Sequence, residues 1–202
     1  MKRSGIFAVI ITCILVAMPL ANAGIMTYSA VLNGASESPP IVSPGAGFVT
    51  VTIDDVANTM HIQASFSNLI GTTTAAHIHC CTADPLTGVV GVATTTPSFA
   101  GFPLAVTAGT YDSILDMTLS SSFSSTFITT HGGITGAQQF LYAGMSLHKS
   151  YFNIHTTFAS GGEIRGFLTQ VVTVPEPSPL ALLGLGIMVF SFNRRQKTIW
   201  RR

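Results

Sequence analysis

The chain has 202 residues, of which only 8% are charged, and its formal net charge is +1. Residues 24–173, between two apolar ends, carry seven acidic side chains against two cations, Lys149 and Arg165, which gives a net charge of −5. A nucleic-acid-binding protein needs clustered cations to displace counterions, so that class of protein is excluded. About 150 residues is the size of one ordinary domain.

The first 23 residues have the pattern of a secretory signal peptide. Lys2 and Arg3 precede an apolar run, Ile6 to Leu20, and Ala21-Asn22-Ala23 then supplies small residues where a signal peptidase cleaves. We therefore predict export, with cleavage after Ala23. The alternative is that this segment is retained as a membrane anchor.

Residues 24–173 contain short runs in which apolar and polar residues alternate, as in strands with one buried face. The clearest run is 58–66, where every second residue from Met60 to Phe66 is apolar. Similar runs predict six more strands, at Met26–Leu32, Phe48–Ile53, Ala75–Cys80, Ser113–Leu119, Tyr151–Thr156 and Glu163–Val172. Gly- and Pro-rich turns separate the runs, so we predict a mostly β domain, an antiparallel sandwich or barrel.

One helix is predicted at 134–147, where a capping box from Thr135 to Gln138 precedes apolar residues at helical spacing. These residues are Ala137, Phe140, Leu141, Gly144 and Met145. A shorter helical turn is predicted near 122–130.

The stretch AHIHCC, residues 76–81, concentrates potential metal ligands. His77 and His79 project from the same face of a predicted strand, because side chains alternate with period two. Such a pair is a common source of two ligands for Zn or Cu, and a catalytic site needs at least a third. The candidates for further ligands are His155 first, then His148 and Asp84.

The competing interpretation is a structural network of buried imidazoles, each hydrogen-bonded to a carbonyl or carboxylate. Asn153, Glu163 and Arg165 would complete it, with Glu163 and Arg165 paired or reaching across to another strand. We favour this network, and therefore predict no cofactor, with Zn or Cu as the alternative. The sequence also lacks the G-x-S-x-G elbow of hydrolases and the ligand group of blue-copper proteins, so we predict a protein that is not an enzyme.

Cys80 and Cys81 are the cysteines that remain once the signal peptide is removed. An oxidising periplasm favours their oxidation, although neighbouring Cα atoms lie closer together than in most disulfides. Three interpretations stay open: a disulfide between neighbours, thiolate ligands to the metal of His77, or disulfides between chains. We favour the first.

A Pro-rich segment near the C-terminus, Val174-Pro175-Glu176-Pro177, is followed by an apolar run closed by Arg194 and Arg195. A helix over 178–192 would reach roughly 22 Å, short of the ~30 Å hydrocarbon core. We predict a short transmembrane helix in segment 174–196 that draws on flanking residues, and the alternative is a tail meant for processing. The basic tail 197–202 should stay in the cytoplasm. The combination resembles the PEP-CTERM sorting signal. The resemblance implies an exosortase-type enzyme as partner and delivery from the inner membrane to the cell surface or extracellular matrix.

Three segments resemble the CHRD domain, named after chordin: LNGASESPPIVSPGAGFVTVTID (32–54), AAHIHCC (75–81) and YFNIHTTFASGGEIRGFL (151–168). The resemblance covers nearly all of 26–172 and implies a β-sandwich-like extracellular module with no settled biochemical activity. The Cys pair departs from the glycine expected after the second histidine. In the first segment, Glu37 and the two prolines of ESPP are interpreted as a strand terminator.

The resulting hypothesis is an exported, envelope-anchored protein whose domain 24–173 is a non-enzymatic surface or matrix module. The alternative is a metal-binding surface protein that uses His77, His79 and His155. The membrane and a sorting enzyme are the expected partners, and envelope polysaccharides or proteins are the remaining candidates.

Overall fold

Eight antiparallel strands form one curled sheet, a half-barrel, in the computed structural model of the protein, which describes residues 24–172. The strands are β1 (Ile25–Asn33), β2 (Ala46–Asp54), β3 (Thr59–Ser67), β4 (Thr73–Cys80), β5 (Gly109–Asp116), β6 (Ser150–Thr156), β7 (Ile164–Phe167) and β8 (Thr169–Gln170). Their order in the sheet is β4-β6-β7-β1-β2-β3-β5, and β8 pairs with β1. Two helices, α1 (Ser125–Thr130) and α2 (Ile134–Ser146), lie between β5 and β6.

The predicted fold class, mostly β and antiparallel with short helices, is confirmed. The described strands belong to one sheet, so the barrel-like alternative describes the fold better than a sandwich of two sheets. Each of the seven predicted runs overlaps an observed strand.

Two predicted strand ranges were wrong at their ends. β5 stops at Asp116 and not at Leu119, because the Asp116 carboxylate accepts hydrogen bonds from the backbone N–H and the hydroxyl of Thr118 and turns the chain. The predicted strand Glu163–Val172 is two strands, β7 and β8, which pair with different neighbours.

The core lies on one face of the sheet and under the helices. Alternate residues of the long strands supply it, for example Val49, Val51 and Ile53 of β2, all fully buried. Helix α2 covers this face with Ala137, Leu141, Gly144 and Met145, while Phe140 points outward and is 44% exposed. The helical spacing in the sequence therefore predicted the buried face of α2 with one exception.

The predicted capping box of α2 was wrong. The helix begins at Ile134 after Gly133, which caps it without a side-chain hydrogen bond, so Thr135 lies inside the first turn. Gln138 instead donates from its amide to the side-chain oxygen of Asn58. The shorter helix α1 has a side-chain cap, since the Ser124 hydroxyl accepts from the N–H of Phe127.

Within residues 24–172, neither helix has the length and apolar character needed to cross a membrane. The predicted signal peptide, the sorting segment 174–196 and the tail 197–202 lie outside the described residues.

Candidate functional site

One end of the sheet has two buried faces. In β4, Ala76, Ile78 and Cys80 belong to the core, so His77 and His79 project from the opposite face. The neighbouring strand β6 alternates in the same way, with Phe152 and Ile154 in the core. The register pairs His79 with Tyr151, His77 with Asn153 and Ala75 with His155. The polar face of β4 and β6 thus carries three histidines, a tyrosine and an asparagine side by side.

Loops cover this polar face and remove it from water. His77 is 6% exposed and His79 is 8% exposed, and His155 is partly exposed. The segment 81–108 between β4 and β5 forms much of the cover, and it returns to the strand through a bridge between His79 and Val92. The turn after β6 closes the side next to His155.

Each of the three imidazoles donates one hydrogen bond to a backbone carbonyl of the covering loops. His77 Nε2 lies 2.5 Å from the oxygen of Pro97, His79 Nδ1 lies 2.8 Å from that of Val90, and His155 Nδ1 lies 2.9 Å from that of Ser160. A carbonyl only accepts, so these three nitrogens carry the hydrogen. The favoured structural network required carbonyl partners of this kind.

The second nitrogen of each ring, Nδ1 of His77 and Nε2 of His79 and His155, is buried and has no hydrogen-bond partner among the described residues. Burial lowers the pKa of His77 and His155, and it lowers the pKa of His79 to about 4. The rings are therefore neutral at pH 7, and each second nitrogen presents a lone pair.

The three rings form a compact triangle. Their centroids lie 5.8 Å apart for His77 and His79, 5.1 Å for His77 and His155, and 5.7 Å for His79 and His155. One nitrogen from each ring lies within 4.8 Å of one nitrogen from each of the others. The set is three neutral imidazoles, the donor type that suits Zn and Cu. The two further ligand candidates, His148 and Asp84, lie outside this cluster.

A stacked layer of side chains fixes the site on its β7 side. Tyr151 stacks on His79 with ring centroids 4.8 Å apart, and its hydroxyl donates to the carbonyl of Val90, the same oxygen that His79 uses. The guanidinium of Arg165 lies over the Tyr151 ring, 4.7 Å from its centre. The orientation of His79 is therefore set by the Tyr151 ring and the Val90 carbonyl, and Arg165 packs on the Tyr151 ring.

Arg165 and Glu163 belong to two separate polar networks, so of the two predicted alternatives they do not pair with each other, and each reaches to other segments. Arg165 is 3% exposed, lies 3.7 Å from the carboxylate of Glu37, and donates to the carbonyls of Ser36 and Gly88. Burial raises the pKa of Glu37 to about 7, against the opposing effect of the Arg165 charge. The role of Glu37 was missed in the sequence, where ESPP was interpreted only as a strand terminator.

Glu163 is fully buried and accepts four hydrogen bonds. Its donors are the hydroxyls of Ser43 and Thr156 and the backbone N–H groups of Ile70 and Gly71, at 2.6 to 3.1 Å. Burial acts to raise its pKa, but the four hydrogen bonds to the charged form outweigh burial and lower the pKa below its usual value. This carboxylate, just before β7, holds together the loop before β2, the loop before β4 and the end of β6.

The glycines of the GGEIRG motif are explained by close packing. Gly162 has a φ of +127°, and a Cβ there would overlap the side chain of Asn153. A Cβ on Gly166 would overlap the carbonyl of Val31 in β1. Asn153 thus lies between the histidine cluster and a turn that only glycine can form, with its amide donating to Gly161 and its oxygen unpartnered.

The two cysteines lie on the other side of the sheet from the histidines. Cys80 faces the core, the two sulfurs are bonded to each other, and both lie against Gly144 of α2. The interpretation in which the cysteine thiolates and His77 bind one metal ion is therefore wrong, because Cys80 faces the core and His77 faces the opposite side of β4.

These features define the class of protein as a β-domain module with a covered polar cluster outside its core. The family model of the CHRD domain matches residues 28–168, more than half of the chain, and the chain belongs to this family. The model of the PEP-CTERM protein-sorting motif matches residues 173–195. Both resemblances predicted from the sequence are confirmed. Comparison with curated proteins and comparison with solved structures each found no match.

The sorting motif implies an exported protein that an exosortase-type enzyme recognises and sorts to the cell envelope. The predicted signal peptide and the sorting motif both indicate export from the cytoplasm. The matched motif contains Val174, Pro175, Glu176, Pro177, Arg194 and Arg195.

Proposed function

We propose that the chain is an exported surface protein whose CHRD domain acts as a non-enzymatic module of the cell envelope or extracellular matrix. One observation carries the proposal: the CHRD domain ends at residue 168 and the sorting motif begins at residue 173. The domain is thus placed directly before the signal that would deliver it. Before sorting, the short apolar segment 178–192 would hold the protein in the inner membrane with the domain in the periplasm.

The surface of the domain supports a role in contact with other envelope components. On β1, β2 and β3, the face opposite the core is rich in hydroxyl and amide side chains, such as Thr50, Gln63 and Ser65. Hydroxyl groups both donate and accept hydrogen bonds, which suits polysaccharide hydroxyls or a protein backbone as partners. Because Glu37, Glu163 and Arg165 are buried, the remaining charges are five aspartates and Lys149, so the surface is acidic.

The sorting step is tested by replacing Arg194 and Arg195 with glutamine in the full chain. The expression host carries an exosortase system, and a parallel strain lacks the exosortase. We expect the wild-type chain to be trimmed and to reach the surface in the first strain only. The double variant should stay untrimmed, because the charges that stop a short span in the membrane are gone.

The matched control replaces Arg201 and Arg202 with glutamine, which removes the same charge outside the matched motif. It should be processed like the wild type. Protease treatment of intact and permeabilised cells reports surface exposure of the CHRD domain. Normal trimming of the Arg194/Arg195 variant, or trimming without the exosortase, would contradict the proposal.

A further inference from the structure

The geometry points to a transition-metal site: we infer that His77, His79 and His155 bind one Zn²⁺ or Cu²⁺ ion through their three unpartnered ring nitrogens, with a fourth coordination position open. This inference goes beyond the sorting proposal and does not depend on it. Four observations on the described residues carry it.

The first observation is the convergence of three rings from two strands. Period-two alternation places His77 and His79 on one face, and the antiparallel register of β6 brings His155 beside them. A tetrahedral Zn²⁺ with Zn–N bonds of ~2.0–2.1 Å holds its nitrogens roughly 3.4 Å apart. One ring nitrogen of each histidine lies within 4.8 Å of one ring nitrogen of each of the others, so the three rings are within reach of a single ion.

The second observation is that three lone pairs are buried together without a donor. Buried polar atoms in proteins nearly always have partners, yet Nδ1 of His77 and Nε2 of His79 and of His155 have none among the described residues. A single water molecule has two hydrogens and cannot donate to three acceptors. One cation satisfies all three lone pairs at once.

The third observation is that the outer hydrogen bonds are those of metal ligands. A ligating histidine usually donates its other N–H to a carbonyl or carboxylate, which fixes the tautomer and the ring orientation. All three rings do so, to Pro97, Val90 and Ser160. These hydrogen bonds place the ring hydrogen on the outer nitrogen of each histidine, as in a ligating histidine, and leave the other nitrogen as the acceptor.

The fourth observation concerns access and charge. His155 is the least buried of the three, so the cluster comes nearest to solvent at this ring. Arg165 is the nearby cation, and its guanidinium lies beside Glu37 and donates to the carbonyls of Ser36 and Gly88. Asn153, opposite His77 in the register, has an unpartnered side-chain oxygen that could accept from a water in the open position.

The test uses the full chain purified in mild detergent without a histidine tag and stripped with a chelator. Titration with Zn²⁺ and, separately, with Cu²⁺ is followed by metal analysis after desalting. We expect one ion per chain, and the ratio of the two dissociation constants shows which metal the site prefers. Three coordinated nitrogens should appear in the electron paramagnetic resonance spectrum of the Cu²⁺ form.

Three variants, His77→Gln, His79→Gln and His155→Gln, should each weaken binding at least tenfold. The control is His61→Gln, a histidine on strand β3 that bonds to Asp112 and lies outside the cluster. It should bind like the wild type. Circular dichroism verifies that each variant is folded. The electron paramagnetic resonance spectrum of the Cu²⁺-loaded wild type tests the site even if a variant does not fold.

Either of two results overturns the inference. One is binding of less than one ion per chain by the wild type with both metals, or a Cu²⁺ spectrum with fewer than three nitrogens. The other is stoichiometric binding that survives in the three folded variants, since the ion would then lie elsewhere.

Discussion

Replacing Glu163 with glutamine should destabilise the domain far more than a change of one atom suggests. Each carboxylate oxygen of Glu163 accepts one hydroxyl and one backbone N–H: Ser43 and Ile70 on one oxygen, Thr156 and Gly71 on the other. Glutamine turns one of these oxygens into an NH₂ donor. A hydroxyl can rotate to accept from it, but a backbone N–H cannot, so one N–H loses its acceptor in either orientation of the amide.

The magnitude follows from that count. A hydrogen bond to a charged group contributes about 1.5–3 kcal/mol, and a buried donor without a partner costs about 1–3 kcal/mol. The two effects overlap, so we expect the free energy of unfolding to fall by about 3 kcal/mol. For a domain of this size the melting temperature should fall by roughly 6–12 °C.

The assay is thermal and urea unfolding of the full chain in mild detergent, followed by circular dichroism. Asp112→Asn is the matched control, because it makes the same chemical change at an exposed carboxylate that bonds to His61 and Gln63. It should leave the melting temperature close to that of the wild type, because exposed ion pairs contribute little to stability. The folded-state pKa of Glu163 lies below its usual value, so its contribution is present above the unfolded pKa and is lost as the pH falls through the folded pKa. A loss below about 1 kcal/mol at pH 7 for Glu163→Gln would refute the idea that this carboxylate fixes the two loops and the end of β6.

Two further predictions concern stability. Because burial raises the pKa of Glu37 to about 7, the stability it contributes is full below its unfolded pKa near 4.5 and is lost as the pH rises through 7. The free energy of unfolding of the wild type, measured relative to Glu37→Gln by urea unfolding, should fall by about 3 kcal/mol between pH 4.5 and pH 8.5; parallel pH profiles would contradict this. A Cβ on Gly144 would overlap both cysteine sulfurs, so Gly144→Ala should lower the free energy of unfolding by about 1–3 kcal/mol. Gly161→Ala, where a Cβ meets nothing within 4 Å, should be close to neutral, and equal melting temperatures for the two variants would be inconsistent with close packing of α2 on the cysteines.

The strands were predictable because their signal is local. Alternation in 58–66 and in the other runs reflects one buried face, and it needs only neighbouring residues to be read. The same rule placed His77 and His79 on one face before any contact was known. The buried side of α2 was predictable for the same reason, since its apolar residues recur with the 3.6-residue period of a helix within that one segment.

The boundaries and the polar partners were less predictable because they depend on contacts between distant segments. The helix α2 begins one residue before Thr135, and Gln138 bonds to Asn58, which lies 80 positions earlier in the sequence. Glu163 and Arg165 are two residues apart and suggested a pair. Except for Thr156, which lies 7 positions from Glu163, the hydrogen-bond partners of both residues lie 77 to 129 positions away in the sequence. Backbone carbonyls carry no sequence signal at all, so the acceptors at Pro97, Val90 and Ser160 could not have been identified.

The HIH and GEIRG segments, far apart in the sequence, are joined in the structure by a chain of contacts through Arg165. Its guanidinium is held beside Glu37 and donates to the carbonyl of Gly88, two residues before Val90. The carbonyl of Val90 accepts from His79, and from the tyrosine that stacks on it. The position of His79 is therefore set by an arginine on another strand and a glutamate more than forty residues before the histidine. A polar face buried under loops needs such anchors, because without them the covering loop would open and water would satisfy the imidazoles in place of the ordered carbonyls.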